Sequence, residues 1–483
     1  MRLTTMTAAM ALTVALTGCA TADTDSPMAT PAATAEATSE IGPQVTVTRD
    51  GDRWTADYVL PSDSPVWAFI RSALKMDGSA AWRQEQWTVE TPGVVLERQG
   101  HLDILRTTDG GPVPRRIRIV MRPASQNLQA DYNPAIVFTD GSVALFSGHF
   151  ELFPVASVET ARDMPLDLNE VQFESQDTLV KWRDRAGPVL AGGERRADSS
   201  SIGRGTYALF GQMPLVDSPR LATVIDPQLP GWISTELSDF APKVADYYVQ
   251  RLGPGQTARP TIMISWNGPT PQFRSMGGSV LSGLIVMTFE GDNVVQASTE
   301  MRDHARWFIG HESAHFWLGQ TVRYEVSRDA WITEGGADLM AVRALSHLYP
   351  AYDARAELQQ EVDDCTRLAV QPVASANRRG EHRAYYACGA VFALAAEAAQ
   401  KQATGGDWFD FLRPLIDANR EDGKVTREEW LTAFRDLTGD PDARREIETL
   451  LDEGAADPSV LIARLFDRTG VAYRLEGGKV KLA

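Results

Sequence analysis

Residues His311–Asp338 read HESAHFWLGQTVRYEVSRDAWITEGGAD. His311 and His315 stand four positions apart, and the preceding MRDHARWFIG suits a helix rich in Ala, Trp, Phe and Ile. On a helix, positions i and i+4 project from one face, so both imidazoles can bind the same tetrahedral ion. Glu312, one residue after the first histidine, can address a metal-bound water instead of the metal. Glu334 follows His315 after an eighteen-residue gap. A turn and part of a second helix fit in that gap and bring a third ligand back. Two histidines and one glutamate leave a fourth position open for water, as a catalytic zinc requires.

The two blocks resemble the gluzincin metallopeptidases, in particular the aminopeptidase N family, with its HExAHxWxGxxV and WxxEGxA patterns. The first block matches at His311, Glu312, Ala314, His315, Trp317, Gly319 and Val322, and the second at Trp331, Glu334, Gly335 and Ala337. The resemblance implies one catalytic Zn2+ held by His311, His315 and Glu334, with Glu312 as general base. It also implies an α+β multidomain fold: a β-rich N-terminal domain, a thermolysin-like zinc catalytic domain and a helical C-terminal region.

Asp338 lies one helical turn after Glu334, and zinc histidines usually donate their second ring N–H to a carboxylate. An aspartate at this offset does so in thermolysin-like enzymes, which makes Asp338 the expected partner of His311. Tyr386 opens Tyr386-Ala387-Cys388-Gly389, similar to the family's Tyr-x-x-Gly helix start, where the phenol stabilises the oxyanion opposite zinc. Tyr385 is the neighbour that could take its place.

The family's amine-binding Gly-x-Met-Glu-Asn has its counterpart at Gly277-Gly278-Ser279-Val280-Leu281. Gly278, Ser279 and Val280 are therefore expected to line the substrate. Val280 stands where the glutamate belongs, and a valine cannot neutralise an ammonium group. The expectation is a zinc peptidase of peptides or proteins with altered specificity. Two alternatives stand beside it: an aminopeptidase with displaced amine recognition, and a zinc-containing but catalytically inactive binding lipoprotein.

Upstream, Thr7–Leu16 forms an apolar stretch after Met1-Arg2 and ends in Leu16-Thr17-Gly18-Cys19. A stretch this short does not span a bilayer as a mature helix, which needs roughly 20 residues. The segment resembles a bacterial lipobox, implying a signal peptide over 1–18 and membrane attachment by lipid at Cys19. Ala20, rather than Asp, points by that resemblance to the outer membrane of the cell envelope, facing the periplasm. Residues 19–44, rich in Ala, Thr, Ser and Pro, read as a tether.

Residues 45–215 read as a β-rich accessory domain. Asp50-Gly51 and Asp140-Gly141 each divide two β-rich runs, as type I′ hairpin turns require, and Ile117–Met121 adds another run. Arg115, Arg116 and Arg118 fit a solvated strand face. Residues 216–355 are expected to hold the catalytic domain, with one clear strand at Pro260–Trp266, and 356–483 the helical region.

With 47 Lys+Arg against 64 Asp+Glu, a formal charge of -17 disfavours nucleic acid as a partner. Cys365 and Cys388 form an even pair that a disulfide would use in an oxidising compartment. His382 and Arg383 are candidate substrate contacts one turn before Tyr386. His304 falls on the face of His311, where a packing or surface role is expected because a fourth protein ligand would close the water position. His101, His149 and His347 lack ligand-like spacing. Asp417–Gly423 misplaces the glycine of a calcium loop, and Thr426 with Glu429 reads as a helix capping box.

Overall fold

The computed structural model describes residues 42–483, except 77, 79, 130, 167, 169, 170, 174, 204, 218–220, 258 and 259. Cys19, the leader over 1–18 and the tether up to residue 41 lie outside the described residues. Among the described residues, no helix is long and apolar enough to cross a membrane.

The N-terminal part is all sheet apart from short helical turns. Gln44–Asp50 and Arg53–Val59 pair antiparallel across Asp50-Gly51, and Arg116–Met121 pairs with the second of them. Ala135–Val137 and Val143–Phe146 form the hairpin around Asp140-Gly141. Alternate residues Val45, Val47, Trp54, Ala56 and Tyr58 are buried, so these strands close a core on one face and meet solvent on the other. Arg118 lies on the outer face and pairs with Asp57.

Beyond residue 214 the chain builds a further, five-stranded sheet, where the sequence showed one clear strand. Its members are β1 (Leu215–Asp217), β2 (Ala222–Ile225), β3 (Thr261–Trp266), β4 (Ser275–Leu281) and β5 (Leu284–Glu290). The spatial order is β1-β2-β3-β5-β4, with β2, β3 and β5 parallel and β4 antiparallel to β5. β5 reads LIVMTFE, a short unbroken apolar run whose period cannot separate buried strand from helix. β4 reads SMGGSVL, where two glycines and two serines depress strand propensity. β4 is an edge strand, so one row of its backbone groups lies outside the ladder of this sheet.

Helix α1 (Gly231–Leu252) and helix α2 (Thr299–Ala314) pack on this sheet. Ser298 caps α2 by accepting from the Met301 amide. Then come α3 (Trp331–Leu348), α4 (Ala354–Leu368) and α5 (Arg383–Thr404). Further helices follow, with the capping box at Thr426 and Glu429 and a terminal hairpin of Tyr473–Glu476 and Lys479–Leu482. A disulfide joins Cys365 on α4 to Cys388 on α5.

α3 and α5 cross in backbone contact. A Cβ added to Gly335 would lie 2.1 Å from the Gly389 carbonyl carbon, and one on Gly389 would lie 2.2 Å from the Trp331 oxygen. Gly389→Ala is therefore expected to destabilise the fold by about 3 kcal/mol, since backbone cannot yield as a side-chain tip can. Gly231→Ala, whose Cβ would meet nothing within 4 Å, is the control. Urea denaturation of the two variants checks the difference.

Candidate metal centre

α2 delivers His311 and Glu312 in its last turn, and His315 follows as the C-cap residue, still in right-handed helical conformation. α3 starts at Trp331 and so carries Glu334 in its first turn and Asp338 one turn later. All five side chains are buried, with Glu312 at 0% exposure. A cluster of charges this deep must be paired or must coordinate an ion.

The hydrogen bonds determine which ring atoms face inward. His315 Nδ1 lies 2.7 Å from the Leu318 carbonyl, which can only accept, so Nδ1 carries the hydrogen. His311 Nδ1 lies 2.7 Å from Asp338 Oδ1 and donates in the same way. In neutral rings both Nε2 atoms then present lone pairs, and they are 3.0 Å apart. Such a pair is repulsive unless a proton or a metal ion lies between. Glu334 Oε2 completes the group at 3.6 Å from His311 Nε2 and 3.5 Å from His315 Nε2. Both of its carboxylate oxygens are buried without a hydrogen-bond donor of ordinary length.

This donor set fits a metal ion. Tetrahedral bonds of about 2.0–2.1 Å place ligand atoms roughly 3.3–3.4 Å apart, close to the three separations just given. His311, His315 and Glu334 form the group of metal-binding type found among the described residues. Electrostatics agree. Burial works against a charged His311, but Asp338, Glu334 and Glu312 outweigh it and hold the imidazole well above its ordinary value. Burial likewise opposes Glu334 ionisation, yet the His315 and His311 rings hold its carboxyl far below the usual range. The site thus draws in positive charge. Asp338→Asn is expected to weaken metal affinity 10- to 100-fold, with folding retained, as read by chelator competition.

β4 forms the opposite wall. A Cβ on Gly278 would lie 3.1 Å from both Cδ and Oε1 of Glu312, so only glycine lets this strand approach the carboxylate so closely. Strand alternation puts Met276 and Val280 on the Gly278 face, where both pack against the large hydrophobic core of the C-terminal part. Ser279 and Leu281 take the other face, and Leu281 packs among residues of the N-terminal sheet. The Tyr132 hydroxyl donates to the Val280 carbonyl at 3.4 Å across 148 positions, a support that no sequence signal marks.

Tyr386 stacks on His311 with centroids 5.7 Å apart and planes 20° from parallel. Tyr385 turns the other way, its hydroxyl accepting from the Asn377 amide. The structure thus brings Tyr386, and not Tyr385, to the metal ligands. Arg383 is engaged elsewhere than a substrate contact would require. Its Nη2 donates to Glu361 at 2.7 Å, its Nε donates to Asp364 at 3.0 Å, and its Nη1 lies 3.8 Å from Asp338 Oδ2. Burial and the neighbouring Asp338 charge push Glu361 up to about 8 against this pairing. Arg383 so ties α5, through Asp338, to the ring of His311. His304 stacks on Trp307 at 5.6 Å rather than joining the ligands.

By sequence, the chain matches no family model. No curated protein matches it either. By structure it is similar to an aminopeptidase N family protein from Idiomarina loihiensis, with a TM-score of 0.58 and 11% identity over 87% of this chain and 78% of that one. An M1 zinc metallopeptidase from Deinococcus radiodurans superposes with a TM-score of 0.44 and 15% identity over 86% of this chain and 93% of that one. The chain shares its α+β multidomain fold with the Idiomarina loihiensis aminopeptidase N family protein.

Proposed function

We propose that this chain is a zinc-dependent peptidase whose specificity departs from amine-directed trimming. The observation that carries the reading is the convergence of His311 Nε2, His315 Nε2 and Glu334 Oε2, with Glu312 against the open strand β4. The fold shared with an aminopeptidase N family protein supports it.

His311, His315 and Glu334 would hold one zinc ion. Bound there, zinc would supply a Lewis acid for the scissile carbonyl and lower the pKa of water. The residues of this chain do the rest. The free edge of β4 aligns an extended substrate backbone by strand pairing. Glu312 takes the proton of the attacking water and passes it to the leaving nitrogen. Tyr386 donates to the carbonyl oxygen as negative charge develops there. Val280 presents hydrocarbon where an amine-directed enzyme needs a carboxylate.

The test is a mixed peptide pool, half with acetylated N-termini, incubated with the zinc-loaded protein and read by mass spectrometry. Internal cuts indifferent to acetylation are expected. Single-residue trimming of free N-termini alone would identify an aminopeptidase with displaced amine recognition. Absence of hydrolysis at full zinc occupancy would leave a binding lipoprotein.

We assign the place of action to a bacterial cell envelope, with Cys19 lipidated and the protein on the outer membrane facing the periplasm. The lipobox-like Leu16-Thr17-Gly18-Cys19 motivates this. Radiolabelled palmitate should enter the wild type and not Cys19→Ala.

A further inference from the structure

The geometry points to a carboxylate-binding subsite at Arg274, His304 and Trp307, which would grip the substrate on the side of the cleft away from Val280. It rests on the peptidase reading above and names the class of substrate: peptides carrying a carboxylate a few residues from the cut.

Arg274 immediately precedes β4, so a chain laid along the free edge of that strand passes it. Its guanidinium reaches α2, with Nη1 3.4 Å from the Met301 sulfur. Arg274 lies four residues before Gly278, or about 13 Å at the strand rise. His304 lies seven residues before His311, or about 10.5 Å along the helix. The offsets put the subsite about four extended residues from Gly278, which lies against Glu312, and about three from His311.

These groups have hydrogen-bonding capacity to spare. Arg274 has five N–H donors, yet its ion-pair partner is Glu300, 4.0 Å away with a side chain 85% exposed. Such a contact is weak and screened. The Trp307 indole N–H is buried without an acceptor among the described residues. His304, Trp307 and His311 form one ladder of rings along α2, with successive centroids 5.6 and 5.4 Å apart. Burial, and next the Arg274 charge, lower His304 to about 4, so the imidazole is neutral at pH 7. Arg274 therefore supplies the positive charge, matched to one carboxylate, with neutral donors beside it. Arg is suited to that task because its fork binds carboxylate bidentately. An anion grip here also gives the substrate an anchor when Val280 provides none for an amine.

The carboxylate could be the peptide's C-terminus or an acidic side chain, and three probes separate the two. They are acetyl-pentaalanine, its C-terminal amide, and the amide with Glu in the fourth position. Binding to the metal-free full-length chain is measured by calorimetry, so turnover plays no part. At least one carboxylate-bearing probe should bind roughly 10- to 100-fold more tightly than the alanine amide. Arg274→Gln should abolish the difference, and Arg274→Lys should restore part of it. Preference for the free acid assigns the C-terminus, and preference for the glutamyl amide assigns a side chain. Equal binding of all three, no binding of any, or a preference that survives Arg274→Gln would overturn the proposal. A chain that makes this discrimination yet never cleaves would instead sink the peptidase reading and leave the subsite standing.

Discussion

Glu312→Gln is expected to leave metal binding unchanged and to cut peptide hydrolysis by about 10²- to 10⁴-fold, the usual worth of a positioned general base. Glutamine keeps the shape of the side chain, which matters because Glu312 is fully buried beside Gly278. The three ligands belong to other residues, so zinc stoichiometry by elemental analysis should equal that of the wild type. The amide cannot take a proton from water at neutral pH. Loss in kcat with full zinc occupancy therefore isolates proton transfer from metal binding. Full turnover in this variant would refute the role of Glu312, and loss of zinc would show that it acts through the metal site instead.

Tyr386→Phe is the second large effect, about 10²- to 10³-fold in kcat with KM little changed. The phenylalanine ring preserves the stacking on His311 at 5.7 Å, so the ligand stays braced and only a hydrogen-bond donor is lost. An oxyanion donor works hardest where charge develops, which is why kcat and not KM should carry the loss. Tyr385→Phe should behave like a mild packing change, because that hydroxyl serves the turn at Asn377. Steady-state kinetics on one peptide substrate, with all three proteins at full zinc occupancy, compares them. Equal losses in the two tyrosine variants would overturn the assignment.

How much of this could be read from the sequence depends on the range of each interaction. His311, His315 and Glu334 were legible because helical periodicity makes a spatial cluster out of local spacing. Asp338 followed from the same periodicity, one turn beyond Glu334, and the structure puts it 2.7 Å from His311 Nδ1. Choosing Tyr386 over Tyr385 needed a family resemblance, since adjacent residues on a helix differ by rotation alone and the chain does not announce which face is buried. β4 was invisible as a strand, for the same reason that it works as a wall: Gly277 and Gly278 weaken the pattern while admitting a close backbone approach. The partners of Arg383 on α4 and the bond from Tyr132 to Val280 join distant segments, and no local pattern records such pairs.

The contact of Gly335 with Gly389 bears on how a centre like this can diverge. At that crossing backbone meets backbone, with no intervening side chain for mutation to enlarge, shrink or recharge, while Trp331 with Phe392 and Arg343 with Glu397 join the same helices elsewhere. The crossing therefore fixes the helix of Glu334 against the helix of Tyr386. Variation is left more easily to the parts joined by side chains: β4, the ring ladder on α2, and the N-terminal part whose Tyr132 bonds the Val280 carbonyl. On the proposed peptidase reading, Val280 is where such a change would register first, since a single codon there would add a side-chain charge while the two crossed helices stay the same.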